Sequence, residues 1–393
     1  MQIEVGDREE ITVALIGNVD SGKSTTVGIL TNPGTKDDGK GSARASVMIH
    51  PHELESGRTS DVSYRHYADE SRVYTFVDLA GHEAYLKTTI SGLSSCHPDL
   101  AIVCISDKIT HMTREHISLA LNLGIPTVLV FTKIDLIPNP TAKRIVKFMK
   151  RLISKAGKKM YQVRSIKDYH LIKKNPHAII PYISTSNKTG DGIELLREIL
   201  SVCPKRNVKH ANGFVIEKIY HNVKGFGTVI TGTTGINIST GDELYLGPLH
   251  NGKFKIVKVK TIHNDYRSFI DVLGENARGC LCIKIQKSDR HLLRHGLILN
   301  HIIPQNVCRK FQAKVKIFHH STSILDGYQA FVNCGGVRGT VVFTNVENKV
   351  LRSGDEALVD MEFMKHLNYL EIGQKVLFRE GTTRGVGQVV KIY

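Results

Sequence analysis

The run Gly17-Asn18-Val19-Asp20-Ser21-Gly22-Lys23-Ser24-Thr25 spaces its glycines, lysine and hydroxyls as GxxxxGK(S/T). Glycines let backbone N–H groups turn inward around phosphate oxygens, Lys23 adds a full positive charge, and the Ser24 hydroxyl suits Mg²⁺. Three further groups extend this chemistry. Thr59, in Glu55-Ser56-Gly57-Arg58-Thr59-Ser60-Asp61, ends a polar loop, where its hydroxyl can close over the metal and a γ-phosphate. In Asp78-Leu79-Ala80-Gly81-His82, the carboxylate can reach Mg²⁺ through water and the Gly81 N–H can meet the γ-phosphate. His82 then stands where water must attack. In Thr132-Lys133-Ile134-Asp135, the carboxylate can accept from guanine N1–H and N2–H₂ together, while the Lys133 stem covers the base. Adenine offers no such donor pair, so Asp135 selects GTP over ATP. The expected metal ligands are Ser24, Thr59 and Asp78; the expected catalytic groups are His82, Lys23, Thr59 and Gly81.

These groups need a scaffold that brings them to one edge. Apolar, β-branched runs at 11–17, 73–79, 100–106, 127–133 and 178–184 alternate with helix-like stretches at 23–31, 83–92, 114–123, 141–156 and 192–201. Such alternation predicts a mainly parallel sheet with helices on both faces. Residues 62–67 alternate with period two and are expected to pair with 73–78 as an edge strand. Residues 32–47, rich in Gly, Ser and charge, read as a mobile loop. After Cys203-Pro204 the runs become short, β-branched and punctuated by Gly, Asn, Asp and Pro, which predicts two β-barrels. The expected fold is thus an α/β P-loop domain followed by two all-β barrels, with boundaries at 1–205, 206–304 and 305–393.

Composition narrows the setting. With 393 residues, 41% hydrophobic and 23% charged, the chain suits several globular domains. No apolar run approaches the roughly 20 residues of a membrane span. The acidic N-terminus lacks the basic and apolar regions of a signal peptide, so a cytoplasmic protein with no membrane contact is expected. Seven cysteines without a CxxC pair read as reduced, buried thiols. The net charge of +16 is uneven: residues 1–205 hold 27 basic and 22 acidic side chains, residues 206–393 hold 26 and 15. The second half's excess points to a polyanion. A second basic cluster, Lys143 to Lys174, sets 12 Lys/Arg against Asp168 alone. It reads equally as an outward helix face or as a contact for ribosomal RNA or an acidic ribosomal protein.

A fifth group, Ser186-Asn187-Lys188, resembles the Ser-Ala-Lys loop of GTPases, whose backbone contacts guanine O6. With it, the chain resembles translational GTPases of the elongation factor Tu class. The loop at 17–25 and the histidine after Asp78-x-x-Gly81 carry the likeness, as do Gly225–Gly232 and the closing stretch from Phe378 through Val390. Within the class it is most similar to the GTP-binding protein 1 and 2 family, through Glu55–Val62, Asp78–Glu83 with Ala80 for proline, Thr132–Asp135, Phe311–Cys334 and Leu351–Asp355. The resemblance implies GTP/GDP and Mg²⁺ as cofactors, and a monovalent cation near Asp20. It implies a ribosome-triggered, monomeric switch that delivers aminoacyl-tRNA or a tRNA-like ligand. Gly274-Glu275-Asn276 resembles a segment near the tRNA 3′ end. A GTP-dependent adaptor of ribosome rescue or RNA decay stays open, while a metabolic, sulfate-activating partner lacks support in the barrels. Two departures stand out. Thr132 replaces the usual asparagine, so a weaker loop tether is expected. Arg58 replaces an isoleucine opposite Val19, so the gating of His82 must differ.

Overall fold

The computed structural model describes residues 6, 8–45, 47, 62–175, 178–208, 211–319, 322–347, 350–380 and 383–393. They form two compact units, one running to Asn207 and one from Val208 onward.

In the first unit, seven strands form one sheet in the order β2-β3-β1-β4-β5-β7-β6: β1 Glu9–Gly17, β2 Ser63–Ala68, β3 Arg72–Asp78, β4 Leu100–Ile105, β5 Thr127–Phe131, β6 Lys159–Gln162 and β7 Ile179–Ser184. All pairings are parallel except β2 with β3, where Ser63 faces Asp78 across an antiparallel edge as the alternation predicts. The central strands are buried on both faces, which is why they read as continuous apolar runs. One core packs Leu15, Phe76, Ile102 and Val130 under helices Lys23–Thr31, Ile166–Ile172 and Ile193–Ser201. The other packs Ile16, Val77, Val103 and Leu129 with Leu93, Ile117 and Met149 from helices Leu86–Ser95, His111–Asn122 and Asn139–Lys155.

Strand β6, helix Ile166–Ile172 and a helical turn at Ser42–Ala45 were not legible as elements. The turn falls in the stretch expected to be a mobile loop. Its path is set by Asp37, whose carboxylate accepts the N–H groups of Gly39, Gly41 and Ala43 at 2.9, 3.3 and 3.0 Å. Among the described residues, no helix is long and apolar enough to cross a membrane.

The second unit holds two six-stranded antiparallel barrels. The first closes through Phe214–Val223, Gly227–Thr234, Arg278–Lys284, Lys255–Asn264, Glu243–Gly247 and Ile298–Asn300. Gly227–Thr234 alternates half-buried and buried residues, as a strand with one face toward a filled barrel must. The second closes through Lys310–His319, Glu356–Phe363, Val337–Val346, Gln329–Cys334, Lys375–Glu380 and Thr383–Ile392, around Phe311, Phe343 and Met361. Arg294 joins the two: its guanidinium donates to Leu367 O at 2.6 Å, Asn368 Oδ1 at 2.9 Å and Pro248 O at 3.2 Å. All seven cysteines are free thiols, six of them buried and Cys280 half-buried.

Candidate nucleotide site

Four parallel strands end at the same edge of the sheet, and each contributes one of the sequence motifs. Gly17 closes β1, Asp78 closes β3, Thr132 follows β5, and Ser186 lies two residues beyond β7. Open α/β sheets bind ligands at this edge. Gly22, at φ 84°, turns the chain into the helix Lys23–Thr31, so the free N–H groups of its first turn face the loop.

The approach of backbones here leaves no room for a side chain. A Cβ on Gly17, which holds φ 144°, would lie 2.4 Å from Cys104 O. A Cβ on Gly81 would lie 2.5 Å from Lys23 Nζ and 2.7 Å from Gly17 O. Gly81 is therefore pressed against the start of the loop, with its backbone at the place where a terminal phosphate would reach Lys23.

Lys23 is buried, and its ammonium donates to Asn18 O at 2.7 Å. Burial lowers its pKa, while Asp78, Cys104 and Asp20 pull the other way. An anion arriving beside this lysine would restore the solvation that burial removes. The Ser24 hydroxyl donates to Asp78 Oδ2 at 2.6 Å. A hydroxyl and a carboxylate brought this close are hard oxygen donors of the kind Mg²⁺ takes alongside phosphate and water, so the residues fit that ion.

One cleft unites the groups of the phosphate end. Val19, Asp20, Gly22, Lys23, Ser24 and Thr25 line one side, with Gly81, His82, Lys133 and Arg44 completing it. His82 is half-buried. Its Nδ1 accepts the Ala84 N–H at 3.1 Å, capping the short helical turn Glu83–Tyr85. A neutral His82 in this arrangement carries its proton on Nε2 and offers a donor there.

The base end is a second, connected cluster. Asp135 is exposed, and its Oδ1 accepts the Ser186 hydroxyl at 2.6 Å, which fixes the carboxylate plane. Ser186 Oγ in turn accepts the Thr189 N–H at 3.1 Å. Asn187 Nδ2 donates to Thr26 Oγ1 at 3.1 Å, tying this loop to the helix after the phosphate loop. Lys133 holds φ 58° and so swings its stem toward the cleft. Lys188 lies beside Gly39.

The tether expected to be weaker is made by Thr132. Its hydroxyl is fully buried and donates to Ser21 O at 2.8 Å, so the tether between the β5 loop and the phosphate loop is made despite the loss of asparagine. A hydroxyl on a β-branched, rotamer-limited side chain makes this bond at low entropic cost. Thr59 and Arg58 lie outside the described residues.

Two residues of the site were missed in the sequence. Arg44, on the turn Ser42–Ala45, brings a third cation to the cleft beside Lys23 and Lys133; a lone arginine in a polar stretch carries no signal. His116 is fully buried on the helix His111–Asn122, and its Nδ1 accepts the Gly17 N–H at 3.1 Å. Burial, reinforced by the Lys23 charge, pushes its pKa down to about 3, so it stays neutral and remains an acceptor. A polar residue on the buried face of an amphipathic helix was the available sign.

Comparison with known proteins gives a family and a fold. The elongation factor Tu GTP binding domain matches residues 8–205. GTP-binding protein 1 of Xenopus laevis is 35% identical over 99% of this chain and 64% of its own length. GTP-binding protein 2 of Homo sapiens is 35% identical over 98% of this chain and 69% of its own. The chain thus spans about two thirds of the length of these relatives. Among solved structures, a bacterial selenocysteine-specific elongation factor superposes with TM-score 0.71 at 19% identity, covering 97% of this chain and 58% of that one. The translation elongation factor SelB of Methanococcus maripaludis, with a GTP analogue, superposes with TM-score 0.69 at 21% identity, covering 98% and 80%. At such identity the structures speak for the fold.

The buried imidazole predicts an acid response. His116 titrates at about 3 when folded, against 6.5 when unfolded. The unfolded chain therefore takes up the proton first, and this contribution to stability is whole above pH 6.5 and is lost as pH falls toward 3. His116→Asn keeps an acceptor for Gly17 but cannot titrate. Urea unfolding between pH 4 and 6 is expected to show a shallower pH slope in the variant, by up to about 1.4 kcal/mol per pH unit. Parallel slopes would mean that His116 is not held neutral.

Proposed function

The chain belongs to the GTP-binding protein 1 and 2 family, with the GTP-binding domain of elongation factor Tu, and on that premise we propose that it is a GTP-hydrolysing switch that hands aminoacyl-tRNA or a tRNA-like ligand to the ribosome. The observation that carries the switch is the loop after β3. Asp78 touches the Ser24 hydroxyl, Gly81 abuts Lys23, and His82 opens onto the same cleft, all within five residues. A loop that carries a metal-side oxygen, a phosphate-side N–H and a histidine responds as a unit when the γ-phosphate leaves.

Position supports these roles for the described residues. Lys23 and the free N–H groups of the loop would hold the phosphates; Ser24 and Asp78 would hold Mg²⁺, which would neutralise phosphate charge, and Thr59 joins them by its place in the sequence. Asp20, in the left-handed region and beside the lysine, offers a carboxylate for a monovalent cation. Asp135 keeps an oxygen for the guanine N–H groups while Ser186 holds the carboxylate in place. His82 orients the attacking water by donating from Nε2; with Nδ1 already accepting, the water's proton passes to a phosphate oxygen. Arg44 adds positive charge where negative charge builds up. The polyanion side rests on the excess of 26 basic over 15 acidic residues in 206–393.

Two results are expected. Asp135→Asn presents an amide N–H to guanine donors, so GTP affinity measured by calorimetry falls by at least about a hundredfold. Xanthosine triphosphate, with a carbonyl at that position, loses far less; equal losses would remove Asp135 from base recognition. Charged and uncharged tRNA, titrated against GTP- and GDP-bound protein at two salt concentrations, should bind tightest as charged tRNA with GTP, and more weakly at high salt. Equal affinity in all states would remove delivery and leave a GTP-dependent adaptor.

A further inference from the structure

The β6 edge of the sheet carries a charge that nucleotide binding does not use. Strand β6 ends the strand order, with helix Asn139–Lys155 on one face and helix Ile166–Ile172 on the other. The first helix buries Ile145, Met149 and Ile153; the second buries Tyr169 and Ile172. The two helices, β6 and the loops that adjoin them hold the twelve Lys/Arg from Lys143 to Lys174, ten of them exposed. The one acid, Asp168, is taken up as a helix cap by the N–H groups of Arg164 and Ser165 at 2.9 and 3.0 Å.

This is not how a face kept for solubility is built. The 17-residue helix Asn139–Lys155 contains no Asp or Glu. Lys143, Lys147, Arg151 and Lys155 follow at four-residue spacing, so like charges stand one above the next and weaken the helix. A solvated face intersperses both signs. None of the six Lys/Arg of this helix is in an ion pair among the described residues. Guarding β6 against strand pairing would need charge on the strand itself, and Lys159 already supplies it.

We infer that this edge docks structured RNA through its phosphates. The helix spans about 25 Å, and the charge continues around β6 onto the opposite face, a breadth that suits a nucleic-acid backbone. One aromatic side chain stands exposed among the cations, Tyr161 at 45% on the same side of β6 as Lys159; the Phe148 ring is engaged by the Arg114 guanidinium at 5.1 Å. Cations beside an exposed ring bind phosphates while the ring stacks on an unpaired base. The site lies at the lateral edge of the sheet, apart from the nucleotide cleft at the strand ends, and does not rest on the tRNA reading.

The test is fluorescence anisotropy of the full chain, GDP-bound, with an RNA hairpin of about 20 base pairs that has no tRNA features, over a range of salt. The variant is Lys143→Glu, Lys147→Glu and Arg151→Glu together, with the three glutamine substitutions as a charge-neutral counterpart that carries the test if the reversal fails to fold. GTP affinity is expected to stay at the wild-type value. RNA affinity is expected to fall about tenfold or more, and the slope of log K against log salt by about 2 to 3. Unchanged affinity and slope in a folded variant overturn the proposal. So does a polyglutamate peptide that binds wild type as tightly as the RNA and is lost equally in the variant, because the partner would then be an acidic protein.

Discussion

The loop after β1 depends on being held from behind. Asn18 O accepts the Lys23 ammonium, Ser21 O accepts the Thr132 hydroxyl, and the Gly17 N–H is taken by His116. In a peptide unit the carbonyl and N–H point in opposite directions, so tying Ser21 O to Thr132 turns the Gly22 N–H the other way. The three anchors come from the loop itself, the end of β5 and a helix on the sheet face, so the cradle is a property of the folded sheet rather than of nine residues.

That constraint passes to everything around it. Because Gly81 has no side chain, the loop after β3 can lie directly on the phosphate loop, as Gly17 lies against Cys104 of β4. Asp78 is thereby placed against Ser24, and His82 at the mouth of the same cleft. The base end is linked through Asn187 to Thr26 and through Asp37 N to Asn187 O at 3.0 Å. Base and phosphate ends therefore share one set of supports.

Much of this was legible because the relevant signals are local. The phosphate loop is contiguous, and the central strands are apolar throughout because both their faces are buried. What escaped depends on contacts far apart in the chain. His116 meets Gly17 across 99 positions, and Thr132 meets Ser21 across 111. Arg44 reaches the cleft only because Asp37 folds a Gly-rich stretch into a turn. Strand β6 is four residues at a sheet edge, too short and too polar for a period to show. The basic run at 143–174 was visible as charge, but not as two helices flanking strand β6.

The central claim is that the loop after β3 turns a bound triphosphate into a timed signal through His82. Single-turnover hydrolysis of GTP, with and without ribosomes, measures it most directly in the wild type and in His82→Ala. The account predicts strong stimulation by ribosomes, and loss of that stimulation by about 100-fold or more in the variant with GTP affinity retained. Equal hydrolysis by both proteins, with no response to ribosomes, would contradict it.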